Sequence, residues 1–456
     1  MLYQKKKFLK KSKIAFDPKH RETIRHNISK YDAAAVAGKN RYLDFELAKQ
    51  RASFLKEKAI NNLGGYLEEF ETNITARGAE VLWARDAEEA IGHVKKVLEG
   101  VKASFLVKSK SMTTEEIEFN ENIEGLGIES VETDLGEFIV KEAGEKPYHI
   151  LTPAMHKSKQ DIAELFNKKF NTPVDLTAED LTLFVRNRLR QKFTSAQVGV
   201  TGANFIVADV GGIGLTENEG NGLMSVAFPK IHIVLAGIEK VIPSVKDIPL
   251  FLPLLAATGT GQQISVYNSL LLGPGGRGEI DGPVRMVVIL LDNGRSDLLN
   301  EKEQSLALKC IRCGACLNTC PIYKNIGGHT YNTTYSGPIG SVITPFYKGF
   351  KDFGHLSFAS TLCGKCSETC PVKIPLHYLL LLNRKKSVEG GKGRTAWDYG
   401  MKAYQYIFSK RGRLDSVNGA VKNLAIKLCG HPLGKKKDVP EFSYRSFSKQ
   451  WGNKIK

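Results

Sequence analysis

Seven of the eight cysteines stand at positions 310, 313, 316, 320, 363, 366 and 370, and no other feature limits the fold so tightly. The first four read Cys310-x2-Cys313-x2-Cys316-x3-Cys320-Pro321. That spacing wraps one iron–sulfur cubane with three thiolates and sends the fourth to a neighbouring cluster. Two-residue gaps let a tight loop place successive sulfurs on different corners of a cluster while its amides point at the sulfides. Gly314 relaxes the backbone where a side chain would crowd the metal, and Pro321 ends the turn. The second motif, Cys363-x2-Cys366-x3-Cys370-Pro371, puts Gly364 in the same role.

By the crossing rule, Cys310, Cys313, Cys316 and Cys370 hold cluster 1, while Cys320, Cys363 and Cys366 hold cluster 2. Cluster 2 is one cysteine short, because the residue three before Cys363 is Ser360. Three outcomes stay open: a [3Fe-4S] cluster, a [4Fe-4S] cluster with an oxygen, imidazole or water ligand on its unique iron, or recruitment of Cys429. Zinc is the competing reading. Structural zinc takes four ligands from two separated pairs, which leaves Cys316 and the two prolines without a role. Cys429, alone at the end of an apolar helix, reads as a buried thiol. A cubane on four thiolates is anionic, and Lys309, Arg312, Lys365 and Lys373 interleave with the ligands and can offset its charge. A solvated basic surface is the alternative for each.

At 456 residues and 42% apolar, the chain has room for roughly three domains and at least one large core. The longest apolar run, Ile248 to Ala257, carries two prolines and falls short of the ~20 residues of a spanning helix. The N-terminal MLYQKKKFLKKSK has no apolar stretch behind it and is not a secretory signal. A reducing cytoplasm is expected, which disfavours disulfides. Residues 1–60 hold 16 Lys/Arg against 6 Asp/Glu, residues 61–294 hold 22 against 32, and residues 295–456 hold 27 against 10. Basic ends suit nucleic acid, an anionic membrane face, an acidic partner or an anionic cofactor. The tails KKKFLKKSK and GKKKDVPEFSYRSFSKQWGNKIK mix cations with aromatics but accompany no nucleic-acid module, so solvated tails or docking surfaces for an acidic partner are favoured over RNA.

The pattern predicts a basic helical arm or cap over 1–70, an α/β domain over 71–294, a two-cluster ferredoxin-like domain over 295–385 and a basic helical region over 386–456. Strands at 79–84, 103–108, 128–133 and 148–153, each before a helical stretch, imply a parallel sheet covered by helices. Denser strands follow to about Asp292, with a helix near 246–257 among them. A helix over 297–309 leads into the cysteines. Gly273-Pro-Gly275-Gly-Arg-Gly278 matches G-x-G-x-x-G but precedes a turn and a strand, against a dinucleotide role. Val210-GGIGLTENEGNG and Thr258-GTGQQ read as tight turns before anion nests. In Lys108-Ser-Lys-Ser-Met-Thr-Thr-Glu-Glu, Thr113 or Thr114 is available to cap a helix, and the same lysines and hydroxyls suit a carboxylate or phosphate. His156, His329, His355 and His377 are scattered, with no catalytic triad, HExxH or P-loop.

Several segments together resemble the lactate utilization protein B family: KSKSMTTEEI (108–117), ETDLGEFIV (132–140), HILTPAMHKS (149–158), ADVGGIGLTENEGNG (208–222), RCGACLNTCPIY (312–323) and STLCGKCSETCPVKIPL (360–376). The likeness runs from about residue 30 to the C-terminus. It implies a LUD domain over about 70–292, related to the NagB/RpiA/CoA-transferase-like α/β group, followed by an α-helical ferredoxin-like dicluster domain. It also implies two [4Fe-4S] clusters, the second drawing only on Cys320, Cys363 and Cys366. The three-cysteine set also resembles the three-iron site of succinate dehydrogenase iron–sulfur subunits. No catalytic residue of the LUD domain carries across.

The resemblance points to a cytoplasmic iron–sulfur subunit that relays electrons from L-lactate oxidation among partner subunits. A transmembrane segment and a nucleic-acid role are not expected; whether L-lactate is met through partners or by the LUD domain itself stays open, as does a peripheral membrane contact. Rival readings are a LUD-domain enzyme acting directly on a small hydroxy acid, with cluster 2 as Lewis acid, and an RNA-binding or redox-sensing module. Crossed ligation makes a specific demand on anaerobically purified protein. Cys370→Ser should damage cluster 1 and Cys320→Ser cluster 2 in iron, sulfide and EPR measurements; damage confined to the cluster of each cysteine's own motif would show that the ligands do not cross.

Overall fold

Period-two burial along the strands sets the layers of this protein, whose computed structural model describes residues 2–276, 278–390, 396–428 and 441–452. In chain order the strands are β1 (Glu80–Ala84), β2 (Phe105–Lys108), β3 (Glu129–Glu132), β4 (Val198–Thr201), β5 (Phe205–Val207), β6 (Gly212–Glu217), β7 (Ile231–Gly237), β8 (Val241–Ile242), β9 (Tyr267–Leu271) and β10 (Arg285–Leu291). Along β10, Val287, Ile289 and Leu291 join one core while Met286, Val288 and Leu290 join another. A strand apolar on both faces needs cover on both faces, as parallel sheets have. The large sheet is parallel throughout, in the order β1-β10-β7-β4-β2-β3. Helix Ala87–Gly100 covers one face with Ala90, Val94 and Leu98. Helix Leu63–Thr75 and the smaller sheet, ordered β8-β5-β6-β9, cover the other.

The first three expected strands form as β1, β2 and β3. Tyr148–Pro153 does not become a strand. Its backbone groups have other partners: Tyr148 N donates to Pro153 O (2.9 Å), Lys110 Nζ to Leu151 O (2.8 Å) and Tyr323 Oη to Tyr148 O (2.7 Å). Its apolar side chains pack with the cysteine region, and β4 takes the place beside β2. The helix expected over 297–309 breaks into Arg295–Leu299 and a 3-10 turn at Gln304–Lys309. Arg295 turns into a buried charge network while Leu308 turns into the apolar core.

Residues Met1–Val388 form one unit. Within it the helices Pro18–Lys39 and Phe45–Asn61 are started by Asp17 and Asp44, which accept from His20 N and Leu47 N. Their Ile24, Ile28, Ala52 and Ile60 share a core with Cys313, Cys316, Cys320, Cys366 and Cys370. Residues Glu389–Lys456 are a second unit, with helices Ala396–Phe408, Arg411–Asp415, Gly419–Leu428 and Phe447–Gly452. Tyr404 stacks on Phe408 (4.1 Å) and Arg413 covers Tyr406 (3.8 Å). Cys429 lies outside the described residues. Among the described residues no helix is long and apolar enough to cross a membrane.

A buried charge network closes the carboxyl edge of the large sheet. Arg295, just after β10, grips Glu116 with both terminal nitrogens (2.9 and 2.8 Å) and Glu239, just after β7, with Nε. Arg312, between Cys310 and Cys313, reaches the other oxygen of Glu239 at 3.1 Å. Tyr335 Oη and Asn293 Nδ2 each donate to Glu116 at 2.6 Å. Burial alone would raise both carboxyls, but the arginines beside them hold both below the usual range. Arg295→Met would strand the buried Glu116 carboxylate and leave Glu239 with Arg312 alone, at a cost of about 3–5 kcal/mol. Arg285→Met, whose pair with Glu80 is about half exposed, should cost under about 1 kcal/mol. Urea unfolding of the two variants measures the contrast.

Candidate metal centre

Both cysteine motifs take the same backbone course. Arg312 (φ 61°) and Gly314 (φ 75°) flank Cys313 as Leu362 (φ 56°) and Gly364 (φ 82°) flank Cys363, all left-handed. These reversals curl each loop so that amides face sulfur. Ala315 N–H reaches Cys313 and Lys365 N–H reaches Cys363. The Ile322 and Tyr323 amides reach Cys320, and those of Val372 and Ile374 reach Cys370. The parallel extends to the missing cysteine: Leu362 N donates to Ser360 Oγ at 3.1 Å just as Arg312 N donates to Cys310 Sγ at 3.4 Å.

The sulfurs gather in two sets. Cys313, Cys316 and Cys370 feel the charge of Cys310, while Cys320 and Cys366 feel that of Cys363. Cys370 of the second motif thus stands with the first set, and Cys320 of the first motif with the second. Burial, then the neighbouring thiols, pushes Cys313 and Cys366 up to about 11 and Cys370 to about 12. Exposed Cys363 lies below its ordinary value, because the Lys365 amide and the Thr361 side chain bond to it. Thiols crowded in this way gain most from a cation that replaces their protons. An all-sulfur donor set with inward amides fits iron–sulfur clusters, and the glycines give clearance: a Cβ on Gly314 would lie 3.0 Å from Ile150 Cγ2.

Of the four interleaved cations, Lys309 is buried against Ser53 Oγ (2.9 Å) and Glu57 (3.1 Å), and Arg312 belongs to the charge network. Lys373 reaches Glu46 at 3.4 Å, and Lys365 is exposed. The N-terminal helices add two that the motif does not announce: Lys39 reaches Thr369 Oγ1 (3.1 Å) and Lys49 the Glu368 carbonyl (2.8 Å).

A cavity of about 260 Å³ adjoins the first set at the carboxyl edge of the large sheet, lined by 109–113 after β2, Asp134 after β3, 202–204 after β4, and Lys240 and Arg312. Burial, partly opposed by Glu239, brings Lys240 down to about 8, so it stays mostly protonated at pH 7. Burial and Asp134 push Glu219, on the same wall as Asn218, up to about 7. The Thr258-GTGQQ segment lies against the first cysteine loop. Thr258 bonds to Cys313, and a Cβ on Gly259 would lie 2.8 Å from Cys313 O.

The LUD domain family matches residues 67–291, and the 4Fe-4S dicluster domain family matches residues 306–374. Lactate utilization protein B of Anoxybacillus flavithermus is 40% identical over 415 residues, 88% of each chain. Its namesakes in Bacillus licheniformis (41% identical, 79% of this chain and 76% of that one) and Bacillus velezensis (42%, 78% and 75%) agree. The chain belongs to the lactate utilization protein B family. Among solved structures, a DUF162 family protein from Deinococcus radiodurans aligns with 50% of this chain and 98% of its own, at 16% identity and TM-score 0.29.

In this family member the helix Met112–Glu116 is capped by Ser111, not by Thr113 or Thr114, because it starts two residues earlier than the threonine pattern implies. The G-x-G-x-x-G stretch lies in the loop between β9 and β10 and leads into a strand. His156 and His329, far apart in sequence, come together: with Glu145, their ligand-type atoms lie within 4.8 Å of one another. Glu145 is already paired with Lys157 (2.7 Å) and His156 (2.5 Å), and His329 with the Lys146 carbonyl (2.6 Å). Glu239, Lys240 and Arg295 were not singled out by sequence; the available signal was a charged residue just beyond a largely apolar parallel strand. Gly314→Ala would meet both the left-handed backbone and Ile150, whereas Gly364→Ala, with nothing within 4 Å, meets only the backbone term of about 1–2 kcal/mol. Thermal unfolding should therefore find Gly314→Ala the more damaging of the two.

Proposed function

We propose that this protein is the iron–sulfur electron-transfer component of an L-lactate-oxidising system and works with partner subunits. The observation that carries the reading is that the charge couplings of the seven cysteines divide four and three, with Ser360 at the loop position that matches Cys310. Cys310, Cys313, Cys316 and Cys370 would hold one [4Fe-4S] cluster, and Cys320, Cys363 and Cys366 the second. Ser360, in the loop position of Cys310, supports an oxygen ligand at the fourth corner over an open three-iron site. When bound, two such clusters supply one-electron storage in adjacent steps, matching the two electrons released as lactate becomes pyruvate.

The chain's own residues prepare the site. Inward amides and the Thr258 and Ser367 hydroxyls bond to cysteine sulfur and favour its charged form. Lys309 and Arg312 set positive charge beside the first set while their carboxylate partners hold them in place. The relatives' shared name, Lactate utilization protein B, supports the substrate system. Exposed Tyr399, Tyr404, Tyr406 and Leu424, among basic residues, offer the second unit a surface for a partner. In anaerobic EPR, L-lactate should leave the isolated chain unchanged and reduce its clusters once partner subunits are added. Clusters that stay oxidised in the complete, lactate-consuming system would rule out the relay.

A further inference from the structure

The cavity beside the first cysteine set has features that electron relay does not use. It lies where the order of the large sheet reverses: the chain leaves β2 for β3 on one side and β4 for β7 on the other, and β2 and β4 are neighbours. The loops after both strands line it. In open parallel sheets that crevice, at the carboxyl ends of the strands, is where ligands bind.

Its charges are incompletely paired. Arg312 lines it with a guanidinium that uses Nη2 on Glu239 and lies over the Tyr335 ring (4.3 Å), its Nε and Nη1 enclosed without a hydrogen-bond partner. Lys240, 9% exposed, has no hydrogen bond or ion pair to any described residue. Unpaired buried donors are costly and call for an acceptor. The carboxylates on the other wall are tied to backbone amides: Glu217 to Gly222 and Leu223 (2.6 and 2.7 Å), Glu219 to Leu135 (3.1 Å) and Asp134 to Glu137 (2.9 Å). They would repel a second negative charge yet can accept from a hydroxyl. At about 260 Å³ the space is too small for a nucleotide.

We propose that this cavity binds a small 2-hydroxy monocarboxylate, its carboxylate taken by Lys240 beside the positive charge of Arg312 and its hydroxyl turned to the acidic wall. Arg312 also sits inside the first cysteine loop, so the ligand shares a wall with the first set of thiols and not with the second. That the bound acid gives up its electrons only when partner subunits are present rests on the proposed function; the binding itself does not.

The test is ligand-observed NMR titration of the full-length, anaerobically purified holoprotein with L-lactate, propionate and inorganic phosphate. L-lactate should bind, and propionate and phosphate at least about tenfold more weakly, as loss of one hydrogen bond or addition of one repelled charge implies. Lys240→Met should weaken L-lactate by about tenfold or more and Lys240→Arg should restore it, with iron content and EPR spectrum unchanged. Lys110→Met, at a partly exposed position on the same wall, is a second variant expected to weaken binding; surface Lys192→Met should not. Intact clusters with no lactate binding, phosphate binding as tightly as lactate, or binding indifferent to both Lys240 and Lys110 would overturn the proposal while leaving the relay untouched. Lactate binding that depends on Lys240 in a chain whose clusters never take electrons would uphold the cavity and overturn the relay.

Discussion

Glu239 stands between two arginines from distant parts of the chain, and the rest of the site depends on that arrangement. Arg295 follows the last strand of the large sheet and Arg312 lies within the first cysteine loop, so one buried carboxylate ties the carboxyl edge of the sheet to the thiol site. Because all three groups are out of water, loss of Glu239 would leave Arg312 without its carboxylate, and loss of either arginine would leave the buried Glu239 with one cation in place of two. Lys56, fully buried, reinforces the joint by donating to the carbonyls of Glu239 and Val241.

The cysteine region repeats one backbone solution twice and departs from it once. Left-handed residues before and after the middle cysteine turn amides inward in both loops, which is what a cluster with sulfur of negative charge requires. The departure is Ser360, which keeps the turn and its amide bond while changing the donor from sulfur to oxygen. The surroundings also differ. The first set is largely buried under the N-terminal helices and the sheet edge, while Cys363 of the second is exposed. The two sets therefore differ in their access to solvent.

The N-terminal helices are more than a cover. Ile24, Ile28, Ala52 and Ile60 extend the core that holds the cysteines, and Lys39 and Lys49 bring charge to the second motif. The strong positive charge of the chain's ends is therefore partly structural: some of these cations are placed at the thiol loops and need no nucleic acid to account for them.

The sequence by itself determined the elements whose information is local. Cysteine spacing announced the two thiol loops, because a ligand run within a dozen residues must fold around whatever it binds. The alternation of strand and helical stretch through β1, β2 and β3 announced a parallel sheet covered by helices, because parallel neighbours need a crossover between them. What required the tertiary structure was every feature made by residues far apart in the chain. Tyr148–Pro153 has the composition of a strand, yet side chains of Lys110 and Tyr323 take its carbonyls and it wraps the cysteine loop instead. The approach of His156 to His329 and the cavity between Lys240 and Arg312 likewise depend on how elements pack. Such juxtapositions are set by long-range burial and charge pairing, which leave no periodic trace along the chain.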